Sequence, residues 1–246
     1  MDLSGRVAIV TGAGLGLGEA IAYRLSENGA KVVVNDVAEE NGVATVEAIK
    51  SKGGDAVFVK ADISKWDPAK VLIDKTIEAY GQIDILVNNA GITRDMLVRD
   101  MDESDWDLVL DINLKGAFNC SKFATPHMVE KKYGKIVSLS SRAHLGNPGQ
   151  ANYSSSKAGI IGLTKALALE FGRYNINVNA IAPGMMATEG LKAHPKYEAV
   201  LGRALKITPL GRVGVPDDVA NLVHFLVSDY SSYITGEVIH ITGGRY

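Results

Sequence analysis

"RVAIVTGAGLGLG", residues 6–18, is the stretch on which the fold turns. Residues 6–12 form a short β-branched run with a near-continuous apolar centre, as a strand buried on both faces requires. The run leads straight into Thr11-Gly12-Ala13-Gly14-Leu15-Gly16-Leu17-Gly18. Helical spacing follows at Leu17, Ala20, Ile21, Arg24 and Leu25, with Gly29 as the expected stop. Glycines let the backbone turn tightly and approach a diphosphate without Cβ clashes, and a helix N-terminus offers free N–H groups and a positive dipole end. A glycine-rich match alone says little. In the order strand, turn, helix, it predicts a dinucleotide cradle at Gly12, Gly16, Leu17 and Gly18.

The next apolar run, "KVVVND" (31–36), ends in Asp36. A carboxylate there accepts hydrogen bonds from an adenosine ribose and repels a 2′-phosphate. Val37, Ala38, Glu39 and Glu40 supply no compensating base, and Leu15 stands where a cation could sit. NAD is therefore expected over NADP.

Five more runs continue outward: "AVFVKAD" (56–62), "IDILVNNAG" (83–91), "KIVSLSS" (135–141), "INVNAIAPG" (176–184) and "EVIHITGG" (237–244). Helical stretches separate them, and no linker or repeat divides the chain. The expectation is one α/β domain over residues 1–246: a single Rossmann-type, doubly wound, seven-stranded parallel sheet with helices on both faces. A long mixed stretch after the sixth run, about residues 185–214, falls where a mobile substrate lid is expected. It carries Lys192, His194, Lys196, Arg203 and Lys206, which either meet coenzyme A phosphates or form a solvated helix face.

Composition narrows the class. The 246 residues are 46% hydrophobic, and 26 Lys plus Arg against 28 Asp plus Glu give a net charge of −2, so neither nucleic acid nor an anionic membrane is an expected partner. Cys120 is the only cysteine, which excludes an intrachain disulfide and Cys-rich zinc patterns, and no metal is expected. No apolar stretch reaches membrane length, and residues 1–5 do not begin a secretory signal, so a cytoplasmic protein is expected.

"YSSSK" (153–157) places a phenol four residues ahead of an ammonium, on one helix face. A free tyrosine, with a pKa of about 10, is nearly inert as an acid or base at neutral pH. A nearby positive charge lowers that pKa toward the range useful for proton transfer.

Taken together, Thr11-Gly12-x-x-x-Gly16-x-Gly18, Asn88-Asn89-Ala90-Gly91, Asn113, Ser140-Ser141, Tyr153-x-x-x-Lys157 and Pro183-Gly184 resemble the short-chain dehydrogenases/reductases over essentially the whole chain. "VVVND" (32–36), "GITRD" (91–95) and "GNPGQANYSSSKAG" (146–159) look closest to β-ketoacyl thioester reductases and (3R)-hydroxyacyl-CoA dehydrogenase domains. The resemblance implies that Tyr153 is the general acid/base and that Lys157 lowers its pKa and holds the nicotinamide ribose. A serine would hydrogen-bond the substrate oxygen, and Asn113 would position a water behind Lys157. Asp62 and Ile63 match adenine contacts, Asn89 a position beside the adenosine and ribose, and Met186 and Thr188 residues that fix the nicotinamide amide.

Which serine acts is open. In close relatives the catalytic serine usually precedes the tyrosine by thirteen positions, which selects Ser140, whereas aligning "GKIVSLSS" from Gly134 selects Ser141. Deletions are easier in loops than inside a buried strand, so Ser141 is the expectation. Arg142 follows where relatives often carry a small apolar residue. It either pairs with a carboxylate or phosphate on the substrate or lies at the surface or a subunit contact. His144 reads as a loop residue, and "TGG" (242–244) replaces the acid-Gly-Gly of relatives without an evident purpose.

These features imply an NAD-dependent oxidoreductase acting on a secondary alcohol or ketone. The leading substrate is a 3-hydroxyacyl or 3-oxoacyl thioester, with or without an added acidic group. Two other readings stand beside it: a dehydrogenase of a small secondary alcohol or alicyclic diol, and a non-catalytic cofactor-binding subunit. The resemblance also implies a homotetramer, or a hetero-oligomer with a related subunit, built on two long helices at roughly 104–130 and 152–172.

Overall fold

The computed structural model describes residues 1–193 and 197–245, so His194 and Lys196 of the expected lid lie outside the described residues, as does the side chain of Lys192. The first half of the chain runs β1 (Val7–Thr11), α1 (Gly16–Glu27), β2 (Lys31–Asp36), α2 (Glu39–Ser51), β3 (Ala56–Lys60), α3 (Trp66–Tyr80) and β4 (Ile85–Asn88). Next come α4 (Glu103–Leu110), α5 (Gly116–Lys131), β5 (Gly134–Leu139), α6 (Ala151–Phe171) and β6 (Ile176–Pro183). Two short helices, α7 (Glu189–Lys192) and α8 (Tyr197–Ile207), precede α9 (Pro216–Val227) and β7 (Val238–Ile241).

The seven strands form one sheet in the order β3-β2-β1-β4-β5-β6-β7, with every pairing parallel. The apolar runs are continuous because both faces are covered. Ala8, Val10, Val32, Val34, Ile85 and Val87 pack on the layer that includes Ile21, Leu25, Ile49, Val223 and Leu226 of α1, α2 and α9. The intervening Ile9, Val33 and Leu86 point the other way, toward Leu72, Ile73, Cys120 and Met128 of α3 and α5. Alternation along each strand thus serves two cores. Chain order reverses between β1 and β4, and a doubly wound sheet opens its binding crevice at the carboxyl ends of the strands there.

One expected helix is interrupted. Between α4 and α5 the chain makes a π-helical turn, Asp111–Lys115, with Gly116 N–H bonded to the Asp111 carbonyl and Asn113 buried inside it. Apolar spacing reads through such a turn, because one inserted residue barely alters the pattern over 27 positions, whereas the side chains it aims are re-directed. Among the described residues no helix is long and apolar enough to cross a membrane.

Candidate active site

A cleft of about 1180 Å³ runs along the carboxyl ends of the strands, lined at one end by Gly12, Leu17, Asp36 and Asp62 and at the other by Ser141, Tyr153, Met186 and Arg245. Its first wall is the glycine turn. Gly12 has φ +60°, and a Cβ there would lie 2.8 Å from the Ala90 Cα. A Cβ on Gly18 would lie 2.1 Å from the Gly12 carbonyl oxygen, so α1 seats on the turn only with glycine at that position. The turn is clamped from β4. The Thr11 hydroxyl oxygen accepts from the Asn89 and Ala90 N–H groups, both at 3.1 Å, while Asn89 Nδ2 donates to the Thr11 and Gly12 carbonyls at 2.9 and 3.0 Å. Sequence reasoning singled out Asn89 but missed the part of Thr11, whose signal was a hydroxyl at the last residue of a buried strand.

Asp36 braces the same turn. One carboxylate oxygen accepts from Gly14 N–H at 2.9 Å and the other from Ala38 N–H at 3.0 Å. Lys60 sits in register with Asp36 across the β2–β3 pair, but its ammonium is tied to Glu39 at 3.3 Å. Asp62 accepts from the Ser64 N–H and hydroxyl at 3.0 and 2.7 Å, which shapes the cleft edge beside the buried Ile63. A backbone cradle that no Cβ could enter, a helix start facing the cleft and an acid at its rim fit a dinucleotide.

At the far end, α6 carries Tyr153 and Lys157 on one face, with the Lys157 Nζ 5.5 Å from the Tyr153 ring centre. Lys157 is buried and donates to the Leu139 carbonyl at 2.6 Å; loss of hydration pushes its pKa down to about 8. Burial holds the Tyr153 phenol above its ordinary value, a hydrogen bond with the Ser141 side chain pulls it back, and the Asp95 carboxylate adds to the rise. The expected lowering of Tyr153 by Lys157 is therefore not what this geometry gives. Burial is the largest cause, and the Lys157 ammonium is aimed at the Leu139 carbonyl instead of the phenol.

The two serines differ sharply. Ser140 is buried, and its hydroxyl donates to the Lys157 carbonyl at 2.8 Å, tying β5 to α6. Ser141, past the strand end, lines the cleft with Tyr153 and accepts from Ala143 N–H at 3.1 Å, capping a short turn at Arg142–Leu145. His144 Nδ1 lies 2.7 Å from the Ser141 carbonyl, which can only accept, so the ring donates there and fixes the turn. Asn113 clasps the Ile92 backbone from both sides, accepting from its N–H at 2.8 Å and donating to its carbonyl at 3.0 Å, and also donates to Ser156 at 3.1 Å. A Cβ on Gly91 would lie 3.2 Å from the Asn113 Oδ1 and 3.4 Å from the Lys157 Nζ, so the two side chains meet around that glycine. Met186 is pinned through a strand bridge to Gly214, and Thr188 caps α7 by accepting from Leu191 N–H at 3.3 Å.

With the site described, its likeness to known proteins can be placed. The sequence model of a family described as enoyl-(acyl carrier protein) reductase matches residues 12–245. The chain belongs to the short-chain dehydrogenase/reductase family. The chain is 46% identical over 241 residues to the 3-oxoacyl-[acyl-carrier-protein] reductase FabG of Staphylococcus aureus, covering 97% of each chain. It is 43% identical over 245 residues to the (2S)-[(R)-hydroxy(phenyl)methyl]succinyl-CoA dehydrogenase subunit BbsD of Thauera aromatica, covering 100% of this chain and 98% of that one. The crystal structure of levodione reductase superposes with a TM-score of 0.94 at 33% identity, covering 98% of this chain and 97% of that one. The protein is thus an oxidoreductase of this family and uses a nicotinamide dinucleotide.

Proposed function

We propose that the protein interconverts a 3-hydroxyacyl and a 3-oxoacyl thioester with NAD(H) as cofactor. The observation that carries the reading is the convergence of Ser141, Tyr153 and the buried Lys157 on one end of a cleft whose other end is a glycine cradle. The cofactor, when bound, supplies or takes up the hydride. In reduction Tyr153 gives its phenolic proton to the oxygen of the carbonyl being reduced; in oxidation the phenolate takes that proton back. Ser141 donates a hydrogen bond to the same oxygen and steadies the charge that develops there. Lys157 holds the ribose and restores the phenol proton through water. The Asn113 side chain is already committed to Ile92 and Ser156, so its part in the relay is to hold the wall of the cleft beside Lys157.

Gly12, Gly16, Leu17 and Gly18 would cradle the diphosphate, Asp62, Ile63 and Asn89 the adenosine, and Met186 and Thr188 the nicotinamide amide. Asp36 would take the ribose hydroxyls. With Lys60 paired to Glu39 and Leu15 and Val37 exposed at the rim, no free base among the described residues stands beside Asp36 to meet a 2′-phosphate. Residues 185–214 would close over the substrate. The thioester assignment draws on the FabG and BbsD likenesses; the BbsD substrate, as its name states, is a succinyl-CoA. The likeness to levodione reductase favours a second reading, a small ketone without a thioester. A silent binding subunit fits less well, since packing alone does not require Ser141, Tyr153 and Lys157 to converge. Exposed Phe118 on α5 and Leu169 on α6 suit a tetramer or a pairing with a related subunit; a monomer in sedimentation would remove that.

The test is to add a 3-oxoacyl-CoA to enzyme with NADH or with NADPH and identify the product by mass spectrometry. A 3-hydroxyacyl-CoA formed at least about tenfold more efficiently with NADH, a gap of about 1.4 kcal/mol, is expected. No 3-hydroxyacyl product with either cofactor would overturn the reading.

A further inference from the structure

Beyond β7 the chain turns back on itself. Gly243 and Gly244 have φ +65° and +92°, and a Cβ on Gly244 would lie 3.0 Å from the Pro209 ring, so only glycines make this turn comfortably. Leu210 N–H bonds the Gly243 carbonyl at 3.1 Å, and Arg245 N–H the Thr242 carbonyl at 3.3 Å. The result delivers Arg245, half-buried, into the same cleft as Arg142, which stands one residue beyond Ser141. The two segments meet directly: the rings of His144 and His240 lie 5.1 Å apart, and Arg142 is close enough to Arg245 to depress its pKa, after burial, the larger cause. Arg203 of α8 lines the cleft as well. Among the described residues none of the three guanidinium groups has a carboxylate within 4.0 Å, whereas Arg6, Arg24, Arg94, Arg99 and Arg212 all do.

Neighbouring like charges with no counterion among the described residues, held by a dedicated glycine turn next to the reacting centre, make a site for an anion. We propose that Arg142 and Arg245 form a carboxylate-binding subsite, so that the preferred substrate is an acyl thioester bearing a second, free carboxylate on the acyl group. The proposal rests on the thioester reading above. The phosphates of coenzyme A are the other anions within the same chemistry. They sit at the far end of the pantetheine arm from the thioester, whereas Arg142 adjoins the serine that meets the reacting oxygen. The anion therefore belongs to the acyl group. A carboxylate accepts two parallel hydrogen bonds from one guanidinium and can share its remaining lone pairs with a second.

The experiment compares a 2-(carboxymethyl)-3-oxoacyl thioester with its neutral 2-alkyl counterpart, each as the coenzyme A ester and as the phosphate-free N-acetylcysteamine ester. Wild-type enzyme is expected to prefer the acid in both forms. Arg142→Gln and Arg245→Gln should each cut the acid-to-neutral ratio of kcat/KM by about 10- to 100-fold, and Arg→Lys should restore it only in part. Succinate gives a reading without turnover: it should raise the Tm of the wild type and not that of either Gln variant, whose own Tm reports folding. A ratio near one in the wild type, or one unchanged in both variants, would overturn the subsite. So would losses in the Gln variants that fall on both coenzyme A esters alike and spare both N-acetylcysteamine esters, which would assign the arginines to the phosphates. Turnover of neutral thioesters without acid preference removes the subsite alone. Acid preference on free ketones with no thioester turnover removes the thioester reading and leaves the subsite standing.

Discussion

At the β1–β4 end of the cleft the polar side chains are tied to backbone: Thr11 and Asn89 clamp the glycine turn, and both oxygens of Asp36 already accept N–H bonds. At the β5–β7 end, Arg142, Arg203 and Arg245 line the cleft with, among the described residues, no carboxylate within 4.0 Å, and Lys157 is buried. The first end is a finished mould, shaped by close approach of backbone to backbone. The second carries three guanidinium groups and a buried ammonium. A mould suits the ligand common to a whole family, and charge left open suits the ligand peculiar to one member.

Breaking each end should therefore fail in a different way. Gly18→Val drives a branched side chain onto the Gly12 carbonyl and should abolish cofactor binding, measured by calorimetry. Tyr153→Phe should bind cofactor normally yet lose about 10²- to 10⁴-fold in kcat. If Tyr153→Phe instead lost cofactor affinity in step with activity, the two ends would not be separable as described.

The serines sharpen the contrast within a single strand end. Ser141→Ala removes the donor to the developing oxyanion and should lower kcat by about 10²- to 10³-fold at unchanged cofactor affinity. Ser140→Ala removes a β5–α6 tie and should instead lower stability by about 1 kcal/mol, with kcat kept within a few-fold. An inactive but stably folded Ser140→Ala would reverse the assignment.

Lys157 offers a test in pH. Its folded pKa, about 8, lies below the ordinary 10.5, so between these values the unfolded chain binds more protons and stability rises with pH. Below pH 8 the buried ammonium opposes folding by up to about 3 kcal/mol, offset in part by its bond to the Leu139 carbonyl. Lys157→Met should accordingly gain stability relative to wild type at pH 7, with the gain shrinking toward pH 10.5, while activity is lost. A stability difference independent of pH would contradict the dehydrated state of this lysine.

Asp36 gives a modest effect on cofactor choice. Asp36→Ala removes a repulsion of the 2′-phosphate but also unties Gly14, so NADH efficiency should fall about tenfold, with NADPH changed little and the gap between them narrowed. A variant with the wild-type NADH-to-NADPH ratio would remove Asp36 from cofactor choice.

The finished end of the cleft was largely legible in the sequence because its determinants are local. Residues 6–18 place strand, turn and helix within one short stretch, and Asp36 closes the next strand. That seven strands form one parallel sheet followed from their alternation with helices; their order in the sheet came from the structure. The Tyr153–Lys157 face was legible from spacing, but the protonation state of Lys157 was not, since it depends on burial beneath β5, distant in sequence. Ser140 and Ser141 could be ranked only by where the strand ends, and the hydrogen bonds that separate them come from α6. The π-helical turn at Asn113 left no trace in apolar periodicity. Arg245 was missed altogether: its partner lies 103 positions earlier, and only the return turn at Gly243-Gly244 brings the two together. The available signal was its place just past the last strand, at the edge where a doubly wound sheet binds ligands.

The measurement that bears most directly on the whole account is kcat/KM of the wild-type enzyme with NADH for a 3-oxoacyl-CoA against a cyclic diketone of similar size. The account predicts a preference for the thioester of at least about tenfold, equivalent to about 1.4 kcal/mol of transition-state binding. A cyclic diketone turned over as efficiently as any thioester, or more so, would contradict it and assign the cleft to small free ketones.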